Sequence, residues 1–199
     1  MGTMPTATPV SQKTAGAIGH SFTLIRGEVG ETADCINEQE LAHLATHLTT
    51  GNRVFVAGAG RSGLVLRMAA MRLMHLGLTV HIAGDTTTPA IRAGDLLVVA
   101  SGSGTTSTVV KAAETAAKVG AKVAAFTANT KSPLAAVSDM LVVIPAAQKT
   151  DHQSGASRQY SGSLFEQVLF LATEAVFQAL WEETSISAEQ LWTRHANLE

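Results

Sequence analysis

Five short apolar runs, residues 53–57, 78–83, 96–100, 122–127 and 140–144, are separated by stretches whose apolar residues fall at helical spacing. A strand that is apolar at nearly every position, rather than at alternate ones, is covered on both faces. Such runs alternating with helices predict a parallel sheet between two helix layers. Helices are expected over residues 62–75, from near Thr106 to Val119, and briefly over 134–137. Two more precede the first strand within residues 15–49, where Ile18, Phe22, Ile25 and Val29, then Leu41, Leu44 and Leu48, keep helical spacing. A long apolar helix over 164–181 and a short one over 187–193 follow the last strand. The fold class expected is α/β: a single-domain three-layer α/β/α sandwich on a five-stranded parallel sheet, flavodoxin-like in type. Residues 1–14, rich in Thr, Pro and Ser, read as a flexible tail, and residues 15–199 as the domain.

In parallel sheets, ligands bind at the carboxyl ends of the strands. The most telling of those ends is Ser101-Gly102-Ser103-Gly104-Thr105-Thr106-Ser107, between the third strand and its helix. It aims backbone N–H groups, hydroxyls and a positive helix end at one point, which suits a phosphate. No Lys or Arg lies in it, so a sugar phosphate fits better than a nucleoside triphosphate, which would call for a Walker lysine. After the first strand, Gly58-Ala59-Gly60-Arg61-Ser62-Gly63 satisfies the dinucleotide pattern G-x-G-x-x-G, and Asp85 falls near where a ribose-binding acid would stand. A dinucleotide needs one pyrophosphate loop, however. Ser62 inside the first loop and the hydroxyls of the second point to a small phosphorylated ligand held between the two.

Composition narrows the partners. A formal charge of −2 gives no reason to expect nucleic acid or an anionic membrane, and no uninterrupted apolar stretch reaches spanning length. Cys35 stands alone, so no internal disulfide forms; it reads as a small buried apolar residue in a reducing cytoplasm. His43 and His47, four apart on a helix, lack a third ligand at recognisable spacing and read as a solvated face, so no metal site is expected. His75, among Leu73, Met74 and Leu76, suits a core or capping role. Ser163 and Glu166 are three apart at the start of the long apolar helix, the spacing of a capping box, yet a carboxylate there would equally serve as a general base. His195, in the polar tail 194–199, reads as either a frayed end or part of a tail folded over a pocket. Charged residues are 15% of the chain and apolar residues 46%, and the helices at 15–49 and 164–181 carry more apolar surface than one sheet face covers, so a homo-oligomer is expected.

These segments together resemble the sugar isomerase (SIS) domain family, and within it the 6-phospho-3-hexuloisomerase branch. The resemblance rests on Gly58–Gly63, Met71-Arg-Leu-Met-His-Leu-Gly77, Asp85-Thr-Thr-Thr-Pro-Ala-Ile91, Ser101–Thr106, Gly162-Ser-Leu-Phe-Glu166 and Arg194-His-Ala-Asn-Leu-Glu199. It implies a cofactor-free, cytoplasmic enzyme that interconverts 6-phospho-3-hexulose and fructose 6-phosphate through a cis-enediol. Such enzymes act with hexulose-phosphate synthase in ribulose monophosphate fixation of formaldehyde. The resemblance further implies a homodimer or homotetramer with shared active sites. Gly60, Arg61, Ser62, Ser101, Ser103, Thr105 and Thr106 are the substrate- and phosphate-binding candidates. Glu166 is the candidate catalytic carboxylate, and His195 of the C-terminal tail a second catalytic candidate. Two other readings share the resemblance: an isomerase of heptulose or pentulose phosphates, and a sugar-phosphate sensor without turnover. Asp85 departs from the Glu usual at its position, and Thr105 from a longer polar residue.

Overall fold

The computed structural model of the chain describes residues 12–146 and 157–198. Its sheet contains β1 (Val54–Gly58), β2 (Val80–Ile82), β3 (Leu96–Ala100), β4 (Lys122–Thr127) and β5 (Met140–Val143), all parallel, in the order β2-β1-β3-β4-β5. The helices are α1 (Gln12–Ala33), α2 (Glu38–Thr50), α3 (Gly60–His75), α4 (Ser107–Lys118), α5 (Pro133–Val137), α6 (Ser163–Glu182) and α7 (Ala188–Trp192).

The unbroken apolar runs of the strands are the cause of the layering. Alternate residues point to opposite faces, and both faces are dry. Val54, Val56, Leu96, Val98, Ala124 and Phe126 pack with Leu44 and Leu48 of α2, Leu66 and Leu73 of α3, and Val168, Leu169 and Val176 of α6. Their neighbours Phe55, Leu97, Val99, Val123 and Ala125 pack with Val109, Ala113 and Ala116 of α4 and Leu134 of α5. The three-layer sandwich expected from the sequence is the fold observed. At one sheet edge, Glu40 of α2 accepts the Val143 N–H at 2.8 Å, which removes a donor from a strand that would otherwise invite pairing. By length and composition α6 would pass for a membrane span, but half of that stretch is buried in the sandwich. It is the core helix.

Strand order fixes where a ligand can bind. The chain moves outward from β1 to β2 in one direction and from β3 to β4 and β5 in the other. The loops leaving β1 and β3 therefore diverge and open a crevice at their carboxyl ends.

The structure departs from the sequence expectations at three places outside the site. Helix α1 begins at Gln12, three residues inside the expected tail; the rest of that tail, residues 1–11, lies outside the described residues. Cys35 is exposed in the turn joining α1 to α2 rather than buried, because the chain reverses there and no element covers it. Helix α3 begins at Gly60 rather than Ser62, and its Leu64, Met68 and Met71 are half or more exposed. The core takes only the α3 face bearing Leu66, Ala69, Ala70 and Leu73.

Candidate active site at the strand switch point

A cavity of about 200 Å3 occupies the crevice between β1 and β3. The first residues or caps of three helices line it: Ala59 and Gly60 of α3, Thr106 of α4 and Gly162 of α6. In none of these three helices does the side chain of the cap residue, Ala59, Thr106 or Gly162, bond a first-turn N–H. Three helices that do not reach the cavity are capped in the ordinary way, α2 by Asn37, α5 by Ser132 and α7 by Ser187. Helix starts leave up to four N–H groups without an intrahelical acceptor, and each carries roughly half a positive charge. Three uncapped starts converging on one cavity make an anion site, and its size suits a small metabolite better than a dinucleotide, since drug-sized ligands take about 300–1,000 Å3.

Hydroxyl groups complete the donor set. Ser62, Ser101, Ser103 and Thr106 line the cavity. Thr106 does not cap its own helix; its hydroxyl shares a 2.8 Å hydrogen bond with that of Ser101, which also accepts the Gly104 N–H at 3.2 Å. The Ser103 hydroxyl accepts from the Thr105 hydroxyl at 2.9 Å and from the Thr105 N–H at 3.3 Å. The loop after β4 braces the cup from behind. The Thr127 hydroxyl donates to the Gly102 carbonyl at 3.3 Å, and the Asn129 amide to the Ser103 carbonyl at 3.4 Å. Thr105 itself is exposed and is not among the lining residues; both of its bonds to Ser103 lie beside the cavity rather than in it.

Glu166 is 3% exposed, in the first turn of α6 beside the lining residues Gly162 and Phe165. Across the cavity mouth, Arg61, which lies between the lining residues Gly60 and Ser62, donates from Nε to its carboxylate. The capping box suggested by the Ser163–Glu166 spacing does not form. Gly162, at φ 86°, takes the cap position, Ser163 becomes the first helical residue, and the Glu166 side chain is left for Arg61. Arg61 thus meets the candidate base rather than the phosphate cup.

The remaining candidates lie elsewhere. His195 sits in a ring stack, 5.1 Å from His75 and 4.5 Å from Trp192, with Arg194 donating to the His75 carbonyl at 2.7 Å. His75 closes α3, whose first residue is Gly60, so at 1.5 Å per residue this cluster lies about 22 Å from the cavity within one chain. Burial, and then the nearness of His195 and Arg72, hold the His75 pKa below the ordinary histidine value. Asp85 pairs with Arg67 on the exposed side of α3 at 2.8 Å, away from the cavity. The His47 ring bonds to the His43 carbonyl of its own helix at 2.9 Å. Among the described residues no group of three or more His, Cys, Asp and Glu gathers in metal-binding proximity.

Gly102, Gly162 and Phe165 line the cavity; they fall inside motifs named from the sequence but were not among the candidate site residues. The Phe165 ring lies so close to Gly102 that a Cβ built there would stand 3.3 Å from it. Phe165 stands one residue before Glu166, so the turn that carries the candidate base also sets a ring against the side-chain-free backbone of Gly102.

A doubly wound parallel sheet with uncapped helix starts and hydroxyls meeting at its switch point defines a phosphate-ligand-binding α/β domain. The SIS domain model matches residues 47–171, from the end of α2 to the middle of α6. The chain is 69% identical over 182 residues to the 3-hexulose-6-phosphate isomerase of Mycobacterium gastri, covering 92% of each. It is 40% identical over 177 residues to the 3-hexulose-6-phosphate isomerase of Bacillus subtilis, covering 88% of this chain and 95% of that one. The chain belongs to the SIS domain family. The crystal structure of a hypothetical protein from Methanococcus jannaschii, for which a 3-hexulose-6-phosphate isomerase function has been inferred, shares the fold with a TM-score of 0.77 at 24% identity, covering 90% of this chain and 99% of that one.

Proposed function

We propose that this chain is a ketose-phosphate isomerase, an intramolecular oxidoreductase that interconverts 6-phospho-3-hexulose and fructose 6-phosphate. The observation that carries the reading is the convergence of three helix starts and four hydroxyls on one cavity, with the buried Glu166 carboxylate next to its lining residue Phe165. The cup of Ser62, Ser101, Ser103 and Thr106 takes the phosphate. That anchor fixes the sugar carbons relative to Glu166, and such positioning supplies several kcal/mol of the barrier reduction. Glu166 removes the proton from C2 of the 3-ketose, giving a cis-enediol, and returns it at C3; the O2 hydroxyl proton passes to O3. One carboxylate above the enediol serves both carbons. Arg61, already paired with Glu166, is placed to offer positive charge to the enediolate oxygens. In the pathway that the family resemblance implies, hexulose-phosphate synthase supplies the substrate, and both enzymes work in the cytoplasm.

His195 enters this mechanism only through a second copy. Leu64, Met68 and Met71 form an exposed stripe on α3, centred near the middle of that helix. An isologous dimer packed antiparallel along this stripe would set the His75–His195 end of one α3 beside the Gly60–Ser62 end of the other. His195 of the partner subunit then moves the proton between the substrate oxygens.

Proton exchange tests the reaction. Fructose 6-phosphate in D2O, followed by NMR, should gain deuterium at C3 and show a new 3-ketose only when the protein is present. Binding without exchange or a new ketose would replace this reading with a sensor. Turnover confined to heptulose or pentulose phosphates would move the specificity to another isomerase of the family.

A further inference from the structure

Glu28, on α1, makes a set of contacts that the proposed reaction does not use. Its carboxylate accepts the Ser157 hydroxyl at 2.8 Å, the Arg158 N–H at 2.7 Å and the Gln159 side-chain amide at 3.0 Å. Gln159 in turn accepts from the Gln167 amide of α6 at 2.9 Å. Residues 157–162 deliver the chain to the left-handed Gly162 and then directly to Phe165 and Glu166. Packing does little to hold this run; Tyr160 within it is 89% exposed. Partial burial alone would raise the pKa of the Glu28 carboxyl, but the donors of Arg158, Ser157 and Gln159 outweigh it and hold the pKa below the ordinary glutamate value. Three donors on one carboxylate, two residues of the same run bonding through their side chains, and a relay to α6 form a brace rather than a chance surface contact.

We propose that Glu28 is a positioning residue for the isomerisation: by pinning residues 157–159 to α1, it sets the Gly162 turn and with it the direction of Glu166. This role rests on the isomerase reading of Glu166. The hydroxyls that take the phosphate stand on the loops after β1 and β3, and of the run that Glu28 braces Gly162 alone is among the residues lining the cavity, so turnover should fall much further than binding when the brace is cut. Glu28→Gln keeps one oxygen, which can serve the Ser157 and Gln159 donors at Oε2 or the Arg158 N–H at Oε1 but not both, and Glu28→Ala loses all three bonds.

The test compares these variants with the wild-type chain by steady-state isomerisation, by titration with glucitol 6-phosphate, a sugar phosphate without a carbonyl, and by thermal melting. The expected result is a kcat lowered by about ten- to a hundredfold in Glu28→Ala, with a smaller loss in Glu28→Gln, while glucitol 6-phosphate affinity and KM stay within about twofold and the melting temperature changes little. An unchanged kcat in Glu28→Ala overturns the positioning role and leaves the isomerase reading standing. A parallel fall in kcat, affinity and melting temperature also overturns it, since that is the pattern of a purely structural contact. A wild-type chain that binds glucitol 6-phosphate without turning over either ketose overturns the isomerase reading and this role with it.

Discussion

Glu166 is where the chemistry can be tested most sharply. Replacing it with Gln keeps the shape of a side chain that is 3% exposed, while removing the base; kcat should fall by about a hundred- to ten-thousandfold with glucitol 6-phosphate affinity nearly unchanged. Wild-type turnover in Glu166→Gln would transfer the role to another group. A second residue prediction concerns Gly63, which the sequence placed in a dinucleotide-like pattern. The structure gives that glycine a different reason: a Cβ on Gly63 would stand 2.5 Å from the Gly58 carbonyl oxygen and 2.8 Å from its carbon. Backbone cannot yield as a side chain can, so Gly63→Ala should push α3 off β1, cost about 3 kcal/mol in urea unfolding, and raise KM through the displaced Ser62. An unaltered midpoint would show that the close approach relaxes freely. The hydroxyl cup was legible in the sequence because its members lie within a few residues of each other on two loops. The partner of Arg61 was not, because it lies 105 residues away, and no local spacing announces a contact made by the crossing of α3 and α6.

At the scale of elements, the strand and helix positions read from apolar patterning hold to within about three residues, since the two dry faces of the sheet leave little freedom in register. What patterning could not show is how the elements are pinned at their starts. Asp95, 2% exposed just before β3, accepts from Arg53 at the start of β1 at 3.0 and 2.6 Å and from the Arg92 N–H at 2.8 Å. It ties the central strand pair together at the end opposite the cavity. Burial alone would raise its pKa, but the Arg53 bonds and the Arg92 N–H prevail and hold it below the ordinary value of 3.8. Because the folded-state pKa is the lower one, the stabilisation is complete above the ordinary value and fades as the pH drops through the folded one. Asp95→Asn should therefore cost about 3 kcal/mol at pH 7, where it leaves the half-buried Arg53 short of its partner, and that gap should shrink in unfolding curves taken at progressively lower pH below 3.8. A gap that stays constant with acidification would assign the stabilisation to shape rather than to charge.

For the molecule as a whole, the apolar surplus read from the sequence was real, but the structure relocates it. The helix at 164–181, expected to offer surface to a partner, is the core helix, with Val168 and Leu169 fully buried, whereas Leu64, Met68 and Met71 of α3 and Ile18 and Phe22 of α1 stand half or more exposed. Helical spacing alone cannot say which face of an all-round apolar helix meets the sheet, and that is why the sequence could not choose between them. Exposed apolar side chains aligned along α3 are the kind of surface that a second copy covers. If it is the seam of an isologous dimer, Met68→Glu places two like charges beside the twofold axis, and sedimentation velocity should show a monomer whose unfolding midpoint by urea is close to the wild-type value, the folded core being untouched. Such a monomer keeps its phosphate cup and Glu166 but loses the histidine a neighbour would supply, so kcat should collapse with dissociation. Complementation separates this from a nonspecific effect. Glu166→Gln and His195→Ala should each be nearly inactive alone. Mixed and reannealed, the two variants form hybrids in which one cavity receives an intact Glu166 from its own chain and an intact His195 from the partner subunit, and activity returns. If the mixture stays as inactive as its parts while the hybrid is shown to assemble, the tail does not act across the seam, and the His75–His195 stack serves only to fasten the C-terminus to α3.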